Sequence, residues 1–470
     1  MTHHTPTTGP TPLLVLDVVG LTPRLLHHMP HLKTLARSGS HAPLGTVLPA
    51  VTCAAQSTFL TGTHPAEHGI VGNGWYFREL GEVLLWRQHN GLVAGDKLWD
   101  AARRAHPGYT VANICWWYAM GADTDVTVTP RPVYYADGRK EPDCYTRPPA
   151  LHDELTEKLG TFPLFHFWGP GADLVSSQWI IDATRHIMAT RHPDLTLCYL
   201  PHLDYDLQRF GPDDPRSLKA AADLDRALAP LLDDARAEGR TVVALSEYGI
   251  TRVSRPVDIN RALRRAGLLE VHTQDGMEYL DPMASRAFAV ADHQIAHVYV
   301  RRPEDLDATR AALDGLPGIG QLLDDEGKKA HHLDHPRAGE LVAVAGAGRL
   351  VHVLLLARRR PRARLRAARR DPPQTRLRPG RTLHGPARPV RQGQGGHRTG
   401  PQEARPALPH GGRAPRPVAY SRQPRPPARE RRRRSAAHLL HPPCCRRPHR
   451  GHRREVTPAP AGRSFPTGPQ

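Results

Sequence analysis

The chain has 470 residues, of which 39% are hydrophobic, so it is long enough to bury one large core or to form two domains. Its formal net charge of +18 is unevenly distributed, because residues 351–470 contain 30 Arg, no Lys and four acidic residues. Residues 1–350 contain 34 basic and 42 acidic side chains and are therefore mildly acidic, with a net charge of −8. The body of the chain thus lacks the basic character typical of proteins that bind nucleic acid or membrane surfaces.

The cysteines and the N-terminus indicate an ordinary soluble protein. The six cysteines have neither disulfide-framework nor zinc-ribbon spacing, and four of them stand singly in apolar stretches, as buried thiols do. The N-terminal sequence MTHHTPTTGP has no basic segment followed by an apolar one, so it predicts no secretory signal. No apolar run approaches the ~20 residues that a membrane-spanning helix needs. We expect a cytoplasmic protein with no membrane partner.

Short apolar runs that lead into polar residues predict buried parallel strands. They lie at residues 13–17 (LLVLD), 195–200 (LTLCYL) and 241–246 (TVVALS). The amphipathic stretch at 218–238 is long enough for a crossover helix. Strands that alternate with helices predict an α/β fold with a mainly parallel sheet and with its chemistry at the strand ends. Further predicted elements are helices at 260–269 and 303–316 and a strand at 339–345.

Residues 74–170 differ from this pattern, being rich in Trp and Tyr and poor in regular strand patterns. We interpret this region as an insertion or cap that helps to form a substrate pocket, with Trp75 as a substrate-binding residue. The alternative is that these aromatic side chains pack inside one large domain.

Residues 349–470 form an Arg/Pro-rich tail with almost no hydrophobic periodicity, which predicts disorder. A back-translation of residues 350–359, read one base later, gives Trp-Phe-Thr-Tyr-Tyr-Tyr-Trp-Leu-Asp, an aromatic strand pattern that ends in an acid. We therefore hypothesise that a frameshift near residues 346–350 has replaced the original C-terminal region. The alternative is a genuine basic tail that binds nucleic acid through phosphate contacts.

The segment 51–73, VTCAAQSTFLTGTHPAEHGIVGN, contains a candidate nucleophile. Thr52 opens a predicted helix, where free backbone N–H groups and the positive end of the helix dipole favour an anionic phosphate. A Thr hydroxyl needs a metal ion or a neighbouring base to act as a nucleophile. The alternative is that Thr52 only caps the helix.

This segment resembles the nucleophile segment of type I phosphodiesterases and nucleotide pyrophosphatases of the alkaline phosphatase superfamily. In that family a Thr attacks phosphorus, and an Asn at the position of Asn73 holds a phosphoryl oxygen. The resemblance covers about residues 11–348 and implies an α/β/α sandwich that hydrolyses small phosphodiesters or nucleotides through a phosphothreonine. It also implies two divalent metal ions, expected to be Zn²⁺, and no specific nucleic-acid partner.

The resemblance also assigns the metal ligands, which include Thr52 itself. Asp17 ends the first predicted strand. The family has a motif in which an Asp and a His precede a Gly-Pro pair, which lies here at 211–212. Asp204 occupies the position of that Asp, and Gln208 occupies the position of that His. Glu247 and Tyr248 stand where the family has Asp-His. Gln208 and Tyr248 are departures, because an amide and a phenol are weak substitutes for imidazole, so one metal site is expected to be altered. A final His from the C-terminal region is lacking in this chain.

Two histidines and one arginine are further candidates for the site. His293 and His297 lie four residues apart, a spacing that puts both on one face of a helix or strand, and we expect one of them to reach the metal. Arg337 suits bidentate contact with phosphate, although a salt bridge within a turn is the alternative. Other functions consistent with the sequence are a phosphomonoesterase or another phosphoryl- or sulfuryl-transfer enzyme of the superfamily, an inactive copy, and a nucleic-acid-binding protein. The sequence contains no Cys-x-Pro-x-Arg segment of the sulfatase type.

Overall fold

The computed structural model describes residues 9–351 of the chain. Its strands are β1 (Leu13–Val18), β2 (Gly74–Phe77), β3 (Glu82–Leu85), β4 (Val111–Ile114), β5 (Val126–Pro130), β6 (Val133–Tyr134), β7 (Lys140–Glu141), β8 (Cys144–Arg147), β9 (Leu195–Leu200), β10 (Thr241–Leu245), β11 (Arg255–Val257), β12 (Val271–Gln274), β13 (Met277–Leu280), β14 (Ala287–Asp292), β15 (Ile295–Val300), β16 (Ile319–Leu323), β17 (Leu341–Ala345) and β18 (Arg349–Val351). Its helices are α1 (Pro30–Ser38), α2 (Thr52–Thr61), α3 (Pro65–His68), α4 (Leu98–Ala105), α5 (Ala150–Leu159), α6 (Leu164–Phe167), α7 (Leu174–Arg191), α8 (His202–Phe210), α9 (Pro215–Ala237), α10 (Ile259–Arg265), α11 (Leu306–Leu313) and α12 (Asp325–Ala330).

A six-stranded sheet with the order β10-β1-β9-β4-β5-β8 forms the centre of the fold. All of its neighbouring strands run parallel except β8, which is antiparallel to β5. The predicted α/β fold with a mainly parallel sheet is therefore confirmed. In this sheet Asp17 of β1 is paired with Tyr199 of β9 on one side and with Leu245 of β10 on the other. The carboxyl ends of these three strands consequently lie level at one edge of the sheet.

The central strands are apolar because helices cover the sheet. All six residues of β9 are buried, as is usual for a parallel strand with both faces covered. Helices α7 and α9 pack against the sheet and against each other, and the apolar residues along α9 line the same core. The amphipathic pattern at 218–238 thus predicted most of α9, although the helix begins three residues earlier, at Pro215.

A second core is formed around an antiparallel sheet with the order β14-β15-β17-β16. Apolar residues from the segment that contains Asn73 also belong to this core, among them Ile70, Val71 and Trp75. Helix α2 contributes to both cores, because Cys53 near its start packs in the second core and Leu60 near its end packs in the first. Thr52 therefore begins a helix that connects the parallel sheet to the antiparallel sheet.

The structure corrects the interpretation of residues 74–170 as an insertion or cap. Strands β4, β5 and β8 all come from this region and make up half of the central sheet. Its tryptophans Trp75, Trp116 and Trp117 are buried. These tryptophans thus pack inside the domain, as the alternative interpretation had it, whereas Tyr134, Tyr135 and Phe165 are exposed. Sequence patterns missed the strands because β4 and β5 are only four and five residues long.

The folded part of the chain continues past the predicted boundary at residue 348. Arg349–Val351 form β18, which pairs in parallel with β11, so these three residues are a strand and not part of a disordered tail. The rest of the predicted tail, and with it the proposed out-of-frame sequence, lies outside the described residues.

Cys53, Cys115, Cys144 and Cys198 are buried and form no disulfides, as expected from their apolar contexts. Cys444 and Cys445 lie outside the described residues. Among the helices of residues 9–351, none combines the length and apolar character needed to cross a membrane.

Candidate active site

Thr52 is the first residue of α2, and its side chain faces acidic and phenolic groups. The helix is capped by Val51, whose backbone is extended and whose side chain makes no capping hydrogen bond. The alternative that Thr52 serves as the helix cap is therefore wrong. The Thr52 side chain instead lies beside Glu247 and Tyr248, which follow β10. Only 4% of Thr52 is exposed.

Helix α2 holds Thr52 in place because both of its ends are well defined. It ends at Gly62, which adopts the left-handed backbone (φ 67°) that favours glycine and donates its N–H to the Thr58 carbonyl at 2.8 Å. At the other end the Ala55 N–H donates to the Val51 carbonyl at 2.9 Å.

Hydrogen bonds at both the oxygen and the nitrogen of the side-chain amide fix the orientation of Asn73. Its Oδ1 accepts a hydrogen bond from the Cys53 backbone N–H at 3.0 Å, next to Thr52. Its Nδ2 donates to Asp292 Oδ1 at 3.1 Å, and its backbone N–H donates to Asp292 Oδ2 at 2.7 Å. One hydrogen of Nδ2 is used in this way, so the second is available to a substrate oxygen. Asp292 is therefore a functional residue that sequence reasoning missed.

Asp17 and Glu247 form a buried carboxylate pair beside Thr52. Asp17 is fully buried, and Glu247 is 3% exposed. Burial raises the pKa of both carboxyl groups, and the proximity of Asp17 raises that of Glu247 further. Two buried carboxyl groups that lie side by side need a proton, a hydrogen-bond donor or a cation between them.

Gln56 supplies a donor to this pair. It lies one helical turn after Thr52, is 1% exposed, and its Nε2 donates to Asp17 Oδ2 at 3.0 Å and to Glu247 Oε1 at 2.7 Å. Sequence reasoning did not single out Gln56. The available signal was its spacing, because residues four apart on a helix share a face and Gln56 must therefore lie near Thr52.

The third acidic residue, Asp204, lies in α8 after β9 and accepts two hydrogen bonds at one oxygen. Gln208 Nε2 donates to Asp204 Oδ1 at 2.5 Å, and Tyr248 Oη donates to the same atom at 3.1 Å. Burial raises the pKa of Tyr248 well above its usual range, so its hydroxyl stays protonated and can donate. The structure thus brings together six residues of the predicted metal set, namely Asp17, Thr52, Asp204, Gln208, Glu247 and Tyr248.

The donor atoms in this cluster suit one cation better than two. Asp17 Oδ1 and Glu247 Oε2 are buried oxygens without a hydrogen-bond partner, and together with Thr52 they fit a single divalent ion. Around Asp204 the neighbours Gln208 and Tyr248 present an N–H and an O–H to the carboxylate, which does not fit a second ion. Within residues 9–351, no group of three or more His, Cys, Asp or Glu side chains is arranged to hold a metal.

His293 and His297 are not part of this cluster. His297 lies in β15, where its Nε2 bonds the Val71 carbonyl at 2.8 Å and its Nδ1 accepts from the Gly339 N–H at 3.2 Å. Both of its nitrogens are therefore used in holding backbone. His293 lies in the β14–β15 turn with 44% of its side chain exposed, 3.9 Å from Asp292 Oδ1. His297 bonds Val71 in the segment that ends at Asn73, and His293 lies beside Asp292, which holds Asn73.

We expect the role of His297 to appear as a pH dependence of stability. Burial lowers its pKa from 6.5 to about 4. Between these values the unfolded chain binds a proton that the folded chain excludes, so the free energy of unfolding falls as the pH drops from about 6.5 to about 4. The full loss attributable to this group is about 3 kcal/mol. Urea unfolding at several pH values in this window measures it.

His297→Gln should flatten this part of the pH dependence, since the variant has no imidazole to protonate. His106→Gln, at an exposed position after α4, is the matched control and should keep the wild-type slope. An unchanged slope in the His297 variant would show that other groups cause the acid sensitivity.

Arg337 and Trp75, the two predicted substrate-binding residues, pack against each other beneath the Asn73 segment. The Arg337 guanidinium lies 4.9 Å from the centre of the Trp75 ring. Its Nη1 donates to the Gly69 and Leu92 carbonyls, each at 2.7 Å. Trp75 is 2% exposed. In the structure Arg337 therefore secures backbone, and Trp75 is covered by its neighbours; neither side chain lies in the Thr52 cluster.

The mainly parallel sheet, with its polar side chains gathered at one edge, is the architecture of the alkaline phosphatase superfamily. A family model described as type I phosphodiesterase / nucleotide pyrophosphatase matches residues 13–352. The chain belongs to this family, whose members are phosphodiesterase- and pyrophosphatase-type hydrolases. The resemblance seen in the nucleophile segment is thereby confirmed. Among curated proteins, none matches the chain.

Solved structures with the same fold share less than a fifth of their sequence with this chain. Murine ectonucleotide pyrophosphatase/phosphodiesterase 5, in an inactive threonine-to-alanine form bound to AMP, is 18% identical with a TM-score of 0.51, over 73% of this chain and 80% of its own. Phosphonoacetate hydrolase from Sinorhizobium meliloti 1021, in complex with phosphonoacetate, is 18% identical with a TM-score of 0.54, over 73% and 83% of the two chains. The human form of the first protein is 17% identical, with a TM-score of 0.51 over 73% and 80%.

Proposed function

We propose that this protein hydrolyses phosphodiester or nucleotide pyrophosphate bonds of small molecules through a covalent intermediate on Thr52. The observation that carries the proposal is the position of Thr52, at the start of α2 and beside Glu247, with Asn73 held next to it. The related murine protein binds AMP and is inactive with a threonine replaced by alanine, which supports both the class of substrate and the importance of a threonine.

In the proposed first step the Thr52 oxygen attacks phosphorus while the bond from phosphorus to the leaving oxygen breaks. The hydroxyl proton passes to the Glu247 carboxylate, which lies beside the Thr52 side chain. The second N–H of Asn73 Nδ2 and the first backbone N–H groups of α2 stabilise the phosphoryl oxygens. Water then attacks the phosphothreonine, which releases phosphate or a phosphomonoester and returns the hydroxyl to Thr52.

We also propose that catalysis depends on a divalent cation. The sequence predicted two ions, expected to be zinc, whereas the donor atoms described above fit one ion, at Asp17, Glu247 and Thr52. A bound cation would lower the pKa of the Thr52 hydroxyl and offset the negative charge that develops on the phosphoryl oxygens. The residues of the chain provide binding, orientation and exclusion of water.

We expect the full-length protein to hydrolyse bis-p-nitrophenyl phosphate and to lose activity on treatment with a chelator. The loss should be on the order of 100-fold or more, because the cation stabilises charge in the transition state. Release of p-nitrophenol before and after treatment, and after the addition of Mn²⁺ or Zn²⁺, measures it. Mass spectrometry of a protein quenched during turnover should find one p-nitrophenyl phosphoryl group on the peptide that contains Thr52, because attack on the diester displaces only one p-nitrophenolate.

The alternative functions give different results in the same assay. Preference for p-nitrophenyl phosphate over the diester would favour a phosphomonoesterase. Absence of hydrolysis with every cation tested, in a protein shown to be folded, would contradict the proposal and support an inactive copy.

A further inference from the structure

Each of the three buried carboxylates near Thr52 is held by a neutral hydrogen-bond donor. Asp17 and Glu247 share the amide nitrogen of Gln56, while Asp204 accepts hydrogen bonds from Gln208 and Tyr248. Amide N–H₂ and phenolic O–H groups satisfy a carboxylate by donating protons, whereas a metal ligand must offer a lone pair. The donors that occupy these carboxylate oxygens therefore affect how many cations the cluster can bind.

The orientation of the Gln56 amide is decided by its other end. Gln56 Oε1 accepts a hydrogen bond from the Trp117 backbone N–H at 2.6 Å. A flipped amide would place N–H₂ against that N–H and an oxygen against two carboxylates, which would lose three hydrogen bonds and create repulsion at each of them. Because the Trp117 N–H can only donate, the nitrogen of Gln56 must face Asp17 and Glu247. Two carboxylate oxygens are thus engaged by a donor that cannot bind a metal.

The oxygens that Gln56 does not engage are those that remain for a cation. They are Asp17 Oδ1 and Glu247 Oε2, both buried and without a hydrogen-bond partner. With the Thr52 hydroxyl they make an all-oxygen set. Oxygen ligands of this kind suit hard cations such as Mg²⁺ and Mn²⁺, whereas zinc sites usually contain His or Cys.

We infer that the Gln56 bridge, together with Gln208 and Tyr248 on Asp204, takes the place of one of the two cations expected from the family, so that this protein binds a single hard divalent ion. Gln56 acts as a positioning residue, since it holds Asp17 and Glu247 at a fixed separation and leaves one oxygen of each directed to the ion. The inference refines the proposed function, but it is tested by metal binding. Its failure can therefore be distinguished from an absence of hydrolysis.

The first experiment is the stoichiometry of metal binding to the full-length protein. The protein is stripped with a chelator, titrated calorimetrically with Mn²⁺, Mg²⁺ and Zn²⁺, and analysed for bound metal after desalting. We expect one Mn²⁺ per chain and no more than one Zn²⁺. Two tightly bound Zn²⁺ ions per chain would overturn the inference, whether or not the protein hydrolyses any substrate.

The second experiment exchanges the donor of Gln56 for an acceptor of the same shape. Gln56→Glu keeps an oxygen for the Trp117 N–H and places a third anionic oxygen against Asp17 and Glu247. We expect Mn²⁺ to bind on the order of tenfold more tightly, because affinity rises with the number of charged ligands. The melting temperature without metal should fall, and its increase on addition of Mn²⁺ should exceed that of the wild type.

Gln178→Glu is the matched control, since Gln178 Nε2 also donates to a carboxylate, that of Asp182 at 3.0 Å, but on the surface of α7. It should leave Mn²⁺ affinity unchanged. If Gln56→Glu does not fold, Gln56→Met, which has similar length and no donor, should show the same larger increase in melting temperature with Mn²⁺. If Mn²⁺ raises the melting temperature of the Gln56 variant that folds by the same amount as in the wild type, the positioning role of Gln56 is overturned.

Discussion

Thr52→Ala is expected to lower kcat/KM for phosphodiester hydrolysis by on the order of 10³-fold or more, because it removes the atom that forms the covalent intermediate. The cost to folding should be small. The alanine retains the helix, and the Thr52 side chain that it replaces does not cap α2. Hydrolysis of bis-p-nitrophenyl phosphate, measured alongside urea unfolding, separates the two effects.

Two further variants sharpen this result. Thr52→Ser keeps a hydroxyl and should retain part of the activity. Thr61→Ala removes a hydroxyl from the last turn of the same helix, where it bonds the Ser57 carbonyl, and should leave the rate unchanged. Activity of Thr52→Ala close to that of the wild type would remove Thr52 as the nucleophile, and the mechanism proposed above would then have to be abandoned.

Asn73→Ala is the variant with the second largest expected effect. We expect kcat to fall by about 10²–10³-fold, as when one donor to a developing oxyanion is removed, with a smaller change in KM. The variant also leaves the Cys53 N–H and Asp292 Oδ1 without the Asn73 amide, while the backbone N–H of residue 73 still donates to Asp292 Oδ2. Steady-state kinetics over a range of substrate concentrations separates kcat from KM.

The control for Asn73→Ala is Asn90→Ala. Asn90 Nδ2 donates to the Tyr118 carbonyl at 3.0 Å, so this variant also loses a partly buried amide hydrogen bond, but one that does not involve Thr52 or Asp292. Equal losses of activity in the two variants, accompanied by equal losses of stability, would show that Asn73 matters for folding alone. A loss of kcat confined to Asn73→Ala supports its contact with the phosphoryl group.

The sequence was informative wherever local patterns decide the structure. β9 was predicted with its observed bounds, and β1 within one residue, because both are continuous apolar runs of a parallel sheet. The same rule placed Asp17, Asp204 and Glu247 together, since the ends of neighbouring parallel strands lie at one edge. The level register of β1 with β9 and β10 is the physical reason that this expectation held.

Contacts between distant parts of the chain were not predictable from such patterns. Asp292 reaches Asn73 across 219 residues, and nothing in the local sequence distinguishes its role from that of the neighbouring histidine, which drew the prediction. His297 looked like a metal ligand because of its spacing, yet backbone groups from two other segments, Val71 and Gly339, occupy both of its nitrogens. Arg337 looked like a phosphate ligand because a guanidinium suits bidentate contact with phosphate, yet it bonds backbone carbonyls.

The bonds from Asn73 to Asp292 also determine when the site can exist during synthesis. An emerging chain exposes Thr52 and Asn73 early, but the carboxylate that orients Asn73 comes 219 residues later, and Glu247 follows Gln56 by 191. Contacts of such long sequence separation form late in folding, because a large loop must close first. No fragment that stops before β14 can therefore contain the complete arrangement, so the nascent protein has no working catalytic centre until most of its folded domain has been made.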